Sequence, residues 1–257
     1  MKKIPGSYLI YQPYYIPFFP FWVLVASSDV FVLYDDTVAS YKSYNYRRQH
    51  ISTDYGDSTV YIKKEYEKTR CVVNGEIKME RGFRSNRVKE SYREEINKLK
   101  TFFSVFPYFD EYSFLLNVSL TETSSLYDIN SYFIRSIAAV LCRDTAILNS
   151  SEMNVVGRSK QDRVFAIGDY LNKSTYLASK NQFNYLSEAE GDIQKNTLFY
   201  NFLDITTPVD AGERYNSILY FLFMYGKEKT LELLNLSNFN NIVSILRVPP
   251  SPLNLVS

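Results

Sequence analysis

Apolar residues in this chain fall into short continuous runs separated by stretches of helical spacing. Tyr8 to Tyr11 is a β-type run stopped at Gln12-Pro13, because proline has no amide proton to give to a ladder. Pro17 and Pro20 suit the first turn of a helix, where that proton is not needed, and the spacing predicts a helix from Pro20 to Ser27. Val30 to Leu33 is a second run, continuous rather than alternating, as in a strand buried on both faces of a parallel sheet. It ends in Tyr34-Asp35-Asp36. Strand, helix and strand within about 30 residues make a βαβ unit. Downstream, Ile96, Leu99, Phe102, Phe103 and Phe106 share a helical spacing inside Val88 to Phe106, which Pro107 ends. Tyr108 to Val118 and Leu126 to Cys142 also read as helices. Thr145 to Leu148, Thr175 to Ala178 and Leu198 to Phe202 are further candidate strands. Gly157 to Leu171 reads as a helix with Val164, Ile167 and Leu171 inward, and with Lys160, Asp162 and Arg163 on a solvated face. Tyr215 to Tyr225 is an apolar helix stopped by Gly226.

Ser40 to Thr69 breaks this rhythm, being rich in Tyr, Lys, Arg, Ser and Asp with few apolar positions. It reads as loop plus short hairpin strands, with Thr59 to Lys63 set against Arg70 to Val73. Asn74-Gly75 is a hairpin-turn dipeptide that lets Arg70 to Val73 pair with Glu76 to Glu80. The expected architecture is therefore α/β: a mostly parallel, Rossmann-like sheet with right-handed crossovers, flanked by helices. A small β-hairpin region is inserted at residues 40–95. One domain covers residues 1–248, and the Pro- and Ser-containing residues 249–257 form a tail.

Composition narrows the function classes. The 257 residues carry 29 Lys and Arg against 28 Asp and Glu, a net charge of +1 that argues against a strongly electrostatic nucleic-acid binder. Aromatic weight lies in 23 Tyr and 18 Phe, with one Trp, and such residues fill cores or line pockets. Cys71 and Cys142 are far apart and in no redox or zinc spacing, so they read as buried apolar residues of a reducing compartment, with a single bridge between them as the alternative. His50 is the only histidine, which excludes a zinc site with two His ligands. The apolar stretch from Ile16 to Ala26 is interrupted by Pro17 and Pro20 and is too short to span a bilayer. It is read as part of the fold rather than as an export leader, which gives a cytoplasmic protein with no membrane insertion. With nine Gly and no G-x-G-x-x-G or Walker pattern, a dinucleotide enzyme or P-loop kinase is not expected, and the cofactor is unknown.

In a parallel α/β sheet, ligands bind outside the carboxyl ends of the strands. Here those ends carry Gln12, then Asp35 and Asp36, then Asn149, Ser150 and Ser151, then Ser179 and Lys180. An amide, carboxylates, hydroxyls and an amine thus converge on one edge. Asp35 and Asp36 are candidates for a general base or for holding a hydroxyl or amine, with Asp35 favoured; Asp36 as a turn cap is the bland alternative. Arg47 and Arg48, beside Asn45, form a basic loop whose forks suit phosphate or carboxylate. Ser150 and Ser151 hold an anion or cap the following helix. Gln12, Asp35 and Asp36 form the catalytic set. Tyr14, Asn45, Arg47, Arg48, Ser150, Ser151 and Lys180 form the substrate-binding set.

These residues also carry a resemblance. Tyr11-Gln12-Pro13-Tyr14-Tyr15-Ile16-Pro17, followed by Asp29-Val30-Phe31-Val32-Leu33-Tyr34-Asp35-Asp36, resembles the opening of WbqC-like proteins. Phe106-Pro107-Tyr108-Phe109, Leu148-Asn149-Ser150-Ser151, Gln161-Asp162-Arg163 with Thr175-Tyr176-Leu177, Phe183-Asn184-Tyr185-Leu186 and Ser217-Ile218-Leu219 through Gly226 are similar to later elements of that family, in the same order. Departures fall at Tyr11, at Lys42 to Arg48 and at Ser179 to Gln182, all at the proposed site. The resemblance implies a setting in O-antigen or other surface-polysaccharide biosynthesis. It also implies a transferase acting on a small molecule such as a nucleotide-linked amino sugar, for example by acyl or aminoacyl transfer. Arg47, Arg48 or Lys180 would then engage phosphate, and Asp35 would deprotonate the attacking group. The alternative is a non-catalytic ligand-binding or assembly protein that uses the same cleft.

Overall fold

The computed structural model describes residues 3–37, 48–53, 56–61, 69–73, 76–80, 92–119, 125–179, 196–200, 205–210, 213–239 and 243–245. In chain order the elements are β1 (Ser7–Tyr11), α1 (Phe19–Ser27), β2 (Val30–Leu33), β3 (Arg48–Thr53), β4 (Gly56–Tyr61), β5 (Thr69–Val73) and β6 (Glu76–Glu80). There follow α2 (Tyr92–Phe103), α3 (Phe109–Tyr112), α4 (Leu126–Leu141), β7 (Ala146–Asn149), α5 (Lys160–Tyr170), β8 (Thr175–Ser179) and β9 (Asn196–Tyr200). The last are β10 (Ile205–Thr206), α6 (Ile218–Leu236), β11 (Asn238–Phe239) and β12 (Val243–Ile245).

The main sheet has the order β12-β9-β8-β1-β2-β7. Five strands run parallel, and β12 closes one edge antiparallel to β9. The expected Rossmann-like α/β architecture is therefore present, with an antiparallel edge strand that the sequence reading lacked. Strand alternation divides the interior in two. Leu9, Phe31, Leu33 and Leu177 face a large core built with α1, α2, α4 and α6, while Tyr8, Ile10, Val32, Tyr176 and Ala178 face a smaller one built with α5. Both faces of β1 and β2 are covered, which is why both strands are buried throughout and read as continuous apolar runs from Tyr8 and from Val30. β7 ends the sheet order and is correspondingly more exposed. The nine residues of α1 are all buried, so its sequence shows no polar face. No helix among the described residues is long and apolar enough to cross a membrane.

Several local expectations change. β3 and β4 pair as one hairpin and β5 and β6 as another. Thr59 to Tyr61 thus lies opposite Arg48 to His50, not Arg70 to Val73, because a two-residue connection makes the nearer pairing local. Helicity after Pro107 is limited to α3 and a single 3-10 turn over Ser113–Leu116. Residues 88–91 and the tail 249–257 lie outside the described residues. Cys142 is a free, buried thiol that burial pushes up to about 12.

Gly226 does break the last helix, at φ 72° and ψ 177°, but the helix resumes on the far side. A Cβ there would lie 2.9 Å from the Tyr108 ring, whose amide bonds Phe223 O at 2.9 Å. The Tyr112 hydroxyl accepts from the Lys227 amide at 3.1 Å. Only glycine meets both the backbone conformation and the ring contact, so Gly226→Ala is expected to lower stability by about 1–3 kcal/mol in urea denaturation. At the amino ends of the strands, Asp29 Oδ2 accepts from the Gly6 amide at 2.8 Å and from Lys173 Nζ at 2.9 Å. Burial pushes the Asp29 carboxyl up. The Lys173 and Gly6 hydrogen bonds and the charges of Lys173 and Lys3 outweigh this and hold it below its ordinary 3.8. Its contribution is present above that ordinary value and is lost as pH falls through the depressed one. Asp29→Asn is expected to cost about 1–2 kcal/mol at neutral pH. The difference from wild type in urea midpoints should close as pH falls through the depressed Asp29 value.

Candidate functional site

Register brings the strand ends together. Tyr11, Leu33 and Asn149 are partners across β1, β2 and β7, so Gln12, Tyr34 and Ser150 leave the sheet side by side. The Tyr34 amide still bonds Tyr11 O at 2.8 Å, and the Asp35 amide then turns back to Leu33 O at 3.0 Å. This turn carries both acids toward the end of β7. Asp35 Oδ1 accepts from the Ser151 amide at 3.0 Å and from the Ser150 hydroxyl at 3.1 Å, and Asp35 Oδ2 accepts from the Ser151 hydroxyl at 2.7 Å. Asp36 Oδ1 lies 2.6 Å from the same Ser150 hydroxyl, and Asp36 Oδ2 is ion-paired with Arg163 Nη2. Ser150 has one proton for two carboxylate acceptors, and Asp36 is the closer.

The two acids differ in access. Asp35 is 1% exposed and held by three donors from the Ser150-Ser151 step, whereas the Asp36 side chain is 29% exposed. Asp35 therefore orients the serines from below, and Asp36 is the carboxylate that a ligand meets. Gln12 Nε2 donates to Thr37 Oγ1 at 3.0 Å, and Thr37 donates to Tyr34 O at 3.0 Å, so the amide braces the turn that carries the acids. Asn149 is buried beside them. Its Oδ1 accepts from Tyr127 Oη at 2.7 Å and from Arg135 Nη2 at 2.9 Å, and its Nδ2 donates to Glu152. Tyr14 packs edge-on against Tyr11 at 5.6 Å and tilted against Phe21 at 5.9 Å, as part of an aromatic wall.

Arg163 corrects the reading of α5. It was expected on a solvated face with Lys160, yet its guanidinium pairs with Asp36, donates from Nε to Val155 O at 3.0 Å and sits 5.0 Å over the Tyr34 ring. The reason is topological. A crossover helix between parallel strands starts at the carboxyl edge of the sheet, so a first-turn side chain of α5 reaches the strand ends. Gly157 makes the approach possible: a Cβ there would fall 2.3 to 2.6 Å from the Arg163 N, Cα and Cβ atoms. Burial raises the Tyr34 hydroxyl above its usual range; the charge of Arg163 works against this and that of Asp36 adds to it. Topology was the signal that could have revealed Arg163 from sequence; the hydrophobic pattern alone placed it outward.

The other expected site residues are less well placed. Arg48 opens β3, but its side chain lies outside the described residues, as do Asn45, Arg47 and Lys180. Among the described residues no cluster of acids, Cys or His has a metal-holding arrangement. A cavity of about 270 Å³ lies at the amino ends of the strands, lined by Lys3, Ala26, Cys142, Thr145, Lys227 and Leu234 among others. Lys3 there donates to Ser28 O, Asp144 O and Thr145 Oγ1. That cavity is at the opposite edge from the acids and serines, whose case rests on convergent polar groups rather than on an enclosed volume.

Fold and site together define an α/β protein of Rossmann-like build, with a polar cluster assembled at the carboxyl edge around two adjacent acids. The chain belongs to the WbqC-like protein family, whose family model matches residues 12–232. No curated protein and no solved structure matches it.

The unequal access of the two acids has an expected energetic signature. Asp35→Ala leaves the Ser151 hydroxyl and amide without their buried acceptor and should cost about 2–4 kcal/mol. Asp36→Ala, at a partly exposed pair, should cost under about 1 kcal/mol. Urea midpoints of the two variants check the order; equal losses would contradict the division between a buried brace and an accessible acid.

Proposed function

We propose that this protein is a transferase that acylates or aminoacylates the amino group of a nucleotide-linked sugar, in the biosynthesis of a surface polysaccharide of the O-antigen type. The sugar and polysaccharide setting rests on membership of the WbqC-like family and on the resemblance that the motifs carry. The observation that supports the chemistry is the accessible carboxylate of Asp36, held between the Ser150 hydroxyl and Arg163 above the buried Asp35.

In this reading the acceptor amine attacks the carbonyl of an activated acyl donor. The N–C bond forms, the bond from the acyl carbon to its leaving group breaks, and the amine proton passes to Asp36 as general base. This assigns the base role to Asp36 rather than to Asp35, since a group 1% exposed does not meet a substrate. Asp35 and Gln12 are positioning residues, one holding the Ser150-Ser151 step and the other the turn at Thr37. Tyr14, Asn45, Arg47, Arg48 and Lys180 complete the proposed substrate surface, with the cations toward phosphate. The reaction is set in the cytoplasm, where nucleotide-linked sugars are made.

The test is incubation of the purified protein with a panel of nucleotide-linked amino sugars and activated acyl donors, with acylated product read by mass spectrometry. Product is expected with wild type, and Asp36→Asn is expected to lower turnover about 100-fold or more. Wild-type turnover in Asp36→Asn would remove the base assignment. Tight binding of a panel member without any product would instead favour the binding or assembly reading.

A further inference from the structure

We infer that Arg163 is an exchangeable ionic latch: the guanidinium paired with Asp36 in this structure is also the group that receives an oxyanion of the ligand, in direct competition with Asp36. The inference rests on the reading of this edge as a ligand site and adds to it the chemical class of group that the site takes beside the acids.

Two kinds of contact hold Arg163. The first is fixed and neutral. Nε donates to Val155 O at 3.0 Å, the Tyr34 ring lies 5.0 Å beneath the guanidinium carbon, and Gly157 lets residues 155–157 lie directly against the Arg163 backbone. These contacts set where the side chain points whatever it is paired with. The second is the ion pair with Asp36, which is accessible, with the side chains 19% and 29% exposed. A pair that solvent reaches is weakly held, so replacing its carboxylate by another oxyanion costs little. The guanidinium also has more N–H donors than Val155, Asp36 and Tyr34 use, in the planar fork that suits a phosphate or carboxylate. Burial works against the charge on Arg163, but its hydrogen bond to Asp36 and the neighbouring Tyr34 and Asp36 outweigh it, so the group stays cationic.

The exchange has a consequence for the acid. When an oxyanion takes over the Arg163 donors, Asp36 keeps its contact with the Ser150 hydroxyl but loses its cation. Arrival of the anionic part of a ligand therefore frees the carboxylate beside it. Because Asp36 and the oxyanion compete for one guanidinium, removing the Asp36 charge strengthens oxyanion binding. A merely structural ion pair has no such effect.

Calorimetric titration with sodium pyrophosphate, and separately with sodium acetate, at constant ionic strength tests this on wild type, Arg163→Gln, Arg163→Lys and Asp36→Asn, with circular dichroism confirming that each is folded. Wild type is expected to bind one of the two probes. Arg163→Gln should weaken that binding about 10-fold or more, and Arg163→Lys, which keeps the charge without the fork, should fall between. Asp36→Asn should tighten it by about 3-fold or more. Dependence on Arg163 with pyrophosphate alone identifies a phosphate group as the oxyanion; dependence with acetate identifies a carboxylate. Absence of binding by either probe at about 10 mM, equal affinity in wild type and Arg163→Gln, or weaker binding in Asp36→Asn overturns the latch. No turnover is measured, so loss of the latch leaves the base role of Asp36 standing, and failure of the acylation assay leaves the latch standing.

Discussion

Everything at the candidate site depends on the in-register parallel pairing of β1, β2 and β7. Parallel strands with a common register end at a common level, and here that level is Tyr11, Leu33 and Asn149. A slip of one residue would turn each strand's side chains to the other face. It would also take Asp35 out of reach of the Ser151 amide and hydroxyl. The register is strongly specified because both faces of β1 and β2 are buried, so a slipped pairing loses packing on two cores at once. The site inherits its geometry from hydrophobic constraints that contain none of its chemistry.

Aromatic residues supply much of that constraint. Trp22, Tyr8, Tyr15, Tyr176 and a set of phenylalanines are almost fully buried. Many meet edge-on or tilted at ring separations of 4.5 to 6.4 Å, the range in which such pairs attract. Among the described residues, Tyr and Phe are thus mostly core, and a smaller part, around Tyr14 and Tyr34, reaches the carboxyl edge. Tyr34 shows how the two uses merge: its ring supports the guanidinium of Arg163 while its backbone carries the chain from β2 into the acid turn.

Two adjacent carboxylates with one serine hydroxyl between them would repel one another without compensation. The arrangement divides the compensation by depth. Asp35 is surrounded by hydroxyl and amide donors from the start of a short turn after β7, and Asp36 takes a cation from α5. Three segments, with the acids more than a hundred residues from the other two, therefore close on one point, and the division separates a group that organises the site from one that a ligand can touch.

Much of the fold was legible in the chain. Continuous apolar runs marked β1, β2 and β8, helical spacing marked α2, α4 and α5, and the Asn74-Gly75 dipeptide marked the pairing of β5 with β6, because each is governed by local sterics or by burial on a known period. The rule that strand ends converge in a parallel sheet was enough to nominate Gln12, Asp35, Asp36, Ser150 and Ser151 as neighbours. Tertiary structure decided the rest. It set which of two adjacent acids is sealed and which is open, since both read alike in a two-residue string. It turned Arg163 from an outward face to the acids, and it paired β3 with β4. Depth below the surface and contacts between distant segments are properties of packing in three dimensions, and local periodicity carries neither.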